Sequence, residues 1–207
     1  MSAREDRKQD RRREILRVAG ELFLREGYAG TTMAGLMREL GGSKATVYSY
    51  FHGKEDIFRS YIEQRIEEEA ENVFAFPGQD TPPEEALTRF GLRFMRMVMR
   101  EDSRALNRLL VTESMRFPEI GQTFYTLCIE FGRSRLMDYL KGLDARGLVR
   151  IDSIPRASEQ FIALCKLDSV LRLMVGVREE LDAAELEEQV RAAVAVFMAA
   201  YGTGRKA

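Results

Sequence analysis

A chain of 207 residues with 45% hydrophobic and 31% charged side chains can bury about two-thirds of its unfolded surface without disulfide or metal staples. No apolar run approaches the ~18 residues a membrane-spanning helix needs, and nothing hydrophobic follows the opening MSAREDRKQDRRRE, so neither a membrane segment nor a secretory leader is expected. The net charge of -1 conceals an asymmetry: residues 1–50 carry 10 basic and 7 acidic side chains, residues 51–207 carry 22 and 26, which suits a polyanion-facing front on an acidic remainder.

Helical periodicity runs through the chain. Ile15, Ala19, Leu22 and Phe23 fall on one face of a first helix over 9–26, closed by Gly27 as a left-handed cap. Thr31 or Thr32 caps a second helix over 33–40, with Leu36, Met37 and Leu40 inward. Gly41-Gly42 breaks it, and Ser43 opens a third helix over 44–50, with Val47 and Tyr50 or Phe51 inward. Longer helices fit 55–73, 84–100, 102–115, 119–147, 154–175 and 182–201. Pro-Gly-Gln-Asp-Thr-Pro-Pro at 77–83 is the clearest loop. Leu148–Ile151 is the one strand-like stretch, and it has no evident partner. The expected fold class is all-α: a three-helix helix-turn-helix domain over 1–56, then a helical domain over 57–207.

Two short helices joined by a tight turn and packed on a first helix are the recipe for a helix-turn-helix, whose second helix enters the DNA major groove. Its first turn here carries Ser43, Lys44, Ala45 and Thr46. Lys44 can donate to guanine, Thr46 can donate or accept, and Ala45 can meet a thymine methyl. Tyr48, Ser49, His52 and Lys54 lie towards the helix end, where phosphate contacts fix register. The same periodicity also fits a small helical bundle whose polar residues merely face solvent.

The residues that carry a family resemblance are Ile15-Leu16, Ala19, Leu22-Phe23, Glu26-Gly27-Tyr28, Thr31-Thr32, Leu36 and Leu40-Gly41. They continue through Ser43-Lys44-Ala45-Thr46-Val47-Tyr48-Ser49-Tyr50-Phe51 and Lys54-Glu55-Asp56-Ile57-Phe58. This stretch resembles the DNA-binding domain of TetR-family transcriptional regulators. The resemblance implies phosphate contacts for Tyr48 and Lys54, and a backbone-side position for Thr31 or Thr32. It implies a groove-facing role for Ser43–Thr46 and Ser49, and a small core of Val47 and Phe51. Met37 and Gly42 depart from the family pattern without removing a polar contact. The run Glu113-Ser114-Met115-Arg116-Phe117-Pro118-Glu119 is similar to the subgroup with an AefR-like C-terminal domain, and the resemblance implies that 57–207 is a helical ligand-binding and dimerisation domain.

Stripes of Phe, Met and Leu on the later helices make a core and, in a sensor, can also line a cavity. The candidate ligand-binding residues are Phe90, Arg93, Phe94, Met97, Glu113, Arg116, Phe117, Phe124, Cys128, Phe161, Cys165 and Asp168. The apolar members fit plain core equally, and the polar ones fit an exposed face or an internal ion pair. The last two helices, 154–175 and 182–201, are the candidate homodimer seam, with Leu186, Val190, Val194, Phe197 and Met198 interleaved with alanines on the last and Leu164, Leu167, Leu171 and Met174 on the one before; the alternative is that they cover their own chain's core. Phosphate-loop, dinucleotide and nucleophile-elbow motifs are lacking. Cys128 and Cys165 are spaced as buried hydrophobes, and a single histidine, His52, forbids a multi-histidine metal site. No enzyme activity, cofactor or metal is expected. The expected partners are a double-stranded operator, a second copy of the chain and a small-molecule effector. The expected protein is a cytoplasmic repressor released from a palindromic operator by a hydrophobic ligand. A helical protein-interaction module without DNA binding is the alternative.

Overall fold

The computed structural model describes residues 3–41, 44–78, 80–177 and 182–204. Gly42 and Ser43, read from the sequence as turn and helix cap, lie outside the described residues. The fold is all-α. Among the described residues the helices are α1 (Ala3–Gly30), α2 (Met33–Leu40), α3 (Lys44–Tyr48), α4 (Lys54–Val73), α5 (Pro83–Met99), α6 (Glu101–Glu113), α7 (Pro118–Phe124), α8 (Phe131–Ala145), α9 (Ile154–Lys166), α10 (Ser169–Met174) and α11 (Ala183–Tyr201), with a π-helical segment at Tyr125–Glu130.

The chain packs as two compact units. One comprises Met1–Glu67 and Ala105–Cys128, the other Glu68–Arg104 and Ile129–Ala207. The first has a core of Ile15, Leu16, Leu22, Phe23, Leu36, Val47, Phe51, Ile57, Phe58 and Ile62, closed by Leu106, Leu109, Leu110 and Ile120. The short helices α2 and α3 bury only Leu36 and Val47 of their own residues. Neither is long enough to be stable alone, so packing rather than propensity holds them.

In the second unit α11 packs on α5 and α9, and α9 on α8. Gly91 permits the closest approach: a Cβ there would lie 2.7 Å from Val190 Cγ1 and 3.4 Å from Cys165 Sγ. An aromatic chain threads this core. Tyr139 stacks on Phe76 at 4.1 Å, Phe76 on Phe90 at 4.9 Å, and Phe161 meets Phe197 edge-on at 5.2 Å. Burial pushes the Tyr139 hydroxyl up to about 12, and the Cys165 thiol likewise to about 12; both are neutral packing groups.

Three expected elements differ in detail. The helix expected over 119–147 is three segments, its ladder opening into the π-helix at Tyr125–Glu130. The helix expected over 154–175 breaks at Leu167, the only described non-glycine residue with positive φ (40°). The Gln189 side chain on α11 satisfies the carbonyls exposed by that break, donating to Cys165 O at 2.6 Å and Lys166 O at 3.3 Å. That is a helix end capped from a neighbouring helix. Leu148–Ile151 does find a partner, the exit from α11: Val149 bridges Gly202, and Arg150 N–H donates to Tyr201 O at 2.8 Å.

Candidate nucleic-acid interface

The two candidate caps of α2 separate in the structure. Thr32 is the N-cap, its hydroxyl accepting from Gly35 N–H at 3.0 Å, and it is exposed. Thr31 is buried, and its hydroxyl donates inward to Gly27 O at 2.8 Å. Gly41, with φ 61° and ψ 21°, ends α2 in the left-handed conformation that glycine adopts without penalty.

On α3, Val47 is fully buried, while Lys44, Ala45, Tyr48 and Ser49 are exposed and Thr46 is half-buried. The helical path tightens after Tyr48: Ser49 N–H reaches both Ala45 O and Thr46 O, and Phe51 N–H reaches Val47 O at 3.0 Å. Phe51 is buried and anchors the exit of α3 as Val47 anchors its middle. The Lys44 ammonium lies 5.6 Å from the centre of the Tyr48 ring, so the two exposed groups share one face. His52 is exposed and its backbone N–H donates to Asp56 Oδ2 at 2.8 Å, which fixes the start of α4. Arg12, not singled out by periodicity, lies over the Phe51 ring at 5.5 Å; its only sequence signal is the Arg11-Arg12-Arg13 run.

An exposed row of ammonium, methyl, hydroxyl and phenol groups on a short helix pinned from behind by two buried side chains is what groove entry requires. Lys54 is placed differently from the rest of the row. Its Nζ donates to Tyr28 O at 2.7 Å and sits 4.3 Å from the Tyr28 ring centre and 5.6 Å from that of Phe117. Burial lowers its pKa, opposed by Glu113 and Glu119 and reinforced by Arg116. Burial first, then Glu119, Glu55 and Glu113, raise the Tyr28 hydroxyl to about 12. The Tyr28 ring packs among Phe23, Phe58 and Phe117, with centroids 5.7, 5.5 and 5.1 Å away.

The candidate ligand-binding residues fall in both units. In the second, Phe90, Phe94, Phe161 and Cys165 are buried in one core with Met97 packed against it. Arg93 donates to Ala75 O at 3.2 Å, and Asp168 pairs with Arg172 at the surface at 2.5 Å. In the first, Phe117, Phe124 and Cys128 are half-buried against the core. Burial raises the Cys128 thiol to about 12, against a lowering by Arg65. Arg116 is exposed and stacks over Phe117 at 5.2 Å. The Glu113 carboxylate accepts from Ala29 N–H at 2.6 Å. No group of three or more His, Cys, Asp or Glu among the described residues is placed to hold a metal ion, and no described helix is long and apolar enough to cross a membrane.

Comparison with known proteins bears on both parts of the chain. Residues 15–61 match the family model of bacterial regulatory proteins, tetR family. Residues 85–203 match that of the AefR-like transcriptional repressor C-terminal domain. The HTH-type transcriptional regulator YfiR of Bacillus subtilis is 40% identical over 63 residues, a span covering 30% of this chain and 31% of that protein. Among solved structures, the flavonoid-responsive regulator FrrA superposes with a TM-score of 0.84 at 28% identity, covering 95% of this chain and 100% of that one. A candidate TetR-family regulator from Mesorhizobium loti MAFF303099 gives a TM-score of 0.78 at 26% identity, covering 95% and 99%.

Proposed function

The chain belongs to the TetR family of bacterial regulators and is a DNA-binding transcription factor rather than an enzyme, and from this premise we propose that it acts as a homodimeric repressor of a palindromic operator, released by a small hydrophobic ligand. The observation that carries the DNA part is the α3 face: Lys44, Ala45 and Tyr48 stand exposed over a buried Val47. Lys44 and Thr46 select bases, and Tyr48, Ser49, His52 and Thr32 hold phosphates. The test is binding-site selection from a random duplex pool by wild type and Lys44→Ala. The variant is expected to lose about 1–3 kcal/mol of discrimination at one base position in each half-site. An unchanged preference assigns Lys44 to the backbone and removes it from base reading.

The dimer rests on an apolar face that the protomer leaves open. On α11, Ala192, Ala195, Val196, Ala199 and Ala200 form an exposed stripe at helical spacing. Leu167, Leu171 and Val175 are exposed around α10. Small residues allow close approach of a partner helix while larger ones fill the seam, and a two-fold dimer presents two recognition helices to successive major grooves. Leu186, Val190, Val194 and Phe197, expected in the seam from sequence, are instead buried in their own protomer's core. The effector reading draws on the aromatic core of the second unit and on the likeness to FrrA, whose name marks it as flavonoid-responsive. Planar polyphenols are therefore the first probes. An effector is expected to raise the melting temperature and weaken operator binding together; stabilisation with unchanged DNA affinity would mean a binding site without a switch.

A further inference from the structure

One peptide group at the corner of the DNA-binding helices is held at both ends by charged side chains. Gly27 interrupts α1 with φ 76° and ψ 169°, and Thr31 N–H then closes a new helical turn on Gly27 O at 3.1 Å. Gly27 thus stands at the N-cap of the turn that leads from α1 into α2. An N-cap normally offers a side-chain oxygen to the first free N–H groups, and glycine has none. The Glu113 carboxylate takes that place: Oε2 accepts from Ala29 N–H at 2.6 Å, while Oε1 lies so close to Gly27 that a Cβ there would clash with it. The carbonyl of the same peptide group, Tyr28 O, accepts from Lys54 Nζ at 2.7 Å. The ammonium of the half-buried Lys54 lies over the Tyr28 ring, with the Phe117 ring beside it.

We propose that Glu113 and Lys54 are positioning residues for DNA binding: together they clamp the Tyr28–Ala29 peptide and so set the entry of α2, from which α3 is hung. Glu113 acts as an N-cap supplied from 84 residues away. Lys54 serves the clamp rather than a DNA phosphate, and Phe117 closes the cage around its ammonium. The Glu113–Glu119 run is on this view part of the DNA-binding machinery. The proposal rests on the DNA-binding reading of α3 but has a readout of its own.

Amide hydrogen exchange of the full-length protein reads the clamp without DNA. In Glu113→Ala the Ala29 amide is expected to exchange about tenfold faster, with Leu87 and Phe90 in the other unit unchanged. Glu113→Gln keeps an acceptor oxygen and should stay within about threefold of wild type. Affinity for the duplex that wild type selects from a random pool should follow the same order. Unchanged Ala29 exchange in Glu113→Ala, or a Glu113→Gln variant as defective as the alanine, overturns the cap. Lys54→Met tests the other side independently, since methionine fills the same cage. It is expected to weaken binding and leave the slope of log affinity against log salt as in wild type. A slope shallower by about 0.9 identifies a lost phosphate contact and overturns the assignment of Lys54. If Lys44→Ala and Tyr48→Phe both bind the selected duplex like wild type, the α3 reading fails, while the Ala29 exchange still decides the clamp.

Discussion

The recognition helix and the last helix are built on opposite plans. α3 is five residues long and has no stability of its own; two buried anchors, Val47 and Phe51, impose its shape. α11 is 19 residues long and opens with a complete capping box, Asp182 accepting from Glu185 N–H at 2.8 Å while Glu185 accepts from Asp182 N–H at 3.1 Å. Inside and outside differ in kind on α3, where apolar anchors face in and polar groups face out. From Ala192 to Ala200 both faces of α11 are apolar: Ala193, Val194 and Phe197 are buried, Val196 and four alanines are not. A candidate DNA-facing surface is therefore recognisable on the first by residue type, whereas on the second only burial tells core from candidate interface.

The largest expected effect breaks the dependence of α3 on its anchors. Phe51→Ala should cost about 3–5 kcal/mol of stability, read as a lower midpoint in urea unfolding, and should abolish DNA binding with it. Lys44→Ala on the same helix should move stability by less than about 0.5 kcal/mol. A mild Phe51→Ala would mean that α3 is held by something other than its core.

The two faces of α11 are separated by a matched pair of substitutions. Val194→Asp puts an unpaired charge into the core and is expected to unfold the protomer or cost more than about 3 kcal/mol. Val196→Asp combined with Leu171→Asp should leave a folded protein that sediments as a monomer. If that double variant remains a dimer, the seam lies elsewhere. If wild type sediments as a monomer at micromolar concentration, the two-fold operator model goes with it.

The smallest effect sharpens the claim that α11 begins under its own control. Asp182→Ala removes the side-chain half of the capping box and should cost about 1 kcal/mol, measured by thermal unfolding, with DNA affinity per folded dimer unchanged. A loss near zero would mean that packing on α5 and α9 already fixes the start of the helix.

Much of the DNA-binding region is legible in the sequence because its chemistry is local. Thr32 caps a helix three residues ahead, Gly41 ends it, and Val47 and Phe51 are one helical turn apart; each device sits within a few residues of what it controls. The expected breaks at 77–83 and the start at Asp182 are legible for the same reason, since proline and capping residues act on their neighbours. The break at Leu167 is not, because no glycine or proline marks it and the group that satisfies it, Gln189, comes from another helix. The π-helical segment at Tyr125–Glu130 is likewise hidden under ordinary helical periodicity.

By itself the sequence determined an all-α chain with a helix-turn-helix at its front, the Thr32 cap and Gly41 exit that delimit α2, and the polar side-chain types on the outer face of α3. Periodicity and capping depend on neighbours a few positions apart, so they are written along the chain. Only the tertiary structure decided which of two adjacent threonines faces out, which of two apolar faces of α11 is core, and which backbone groups Lys54 and Glu113 hold. All but the first depend on a partner distant in sequence. The Thr31 hydroxyl turns inward to Gly27 O at the break in α1, Val194 is covered by its own core, and the Glu113 carboxylate reaches Ala29 across 84 residues. Such pairings follow from how helices pack, and packing depends on the sum of many weak contacts rather than on any short motif.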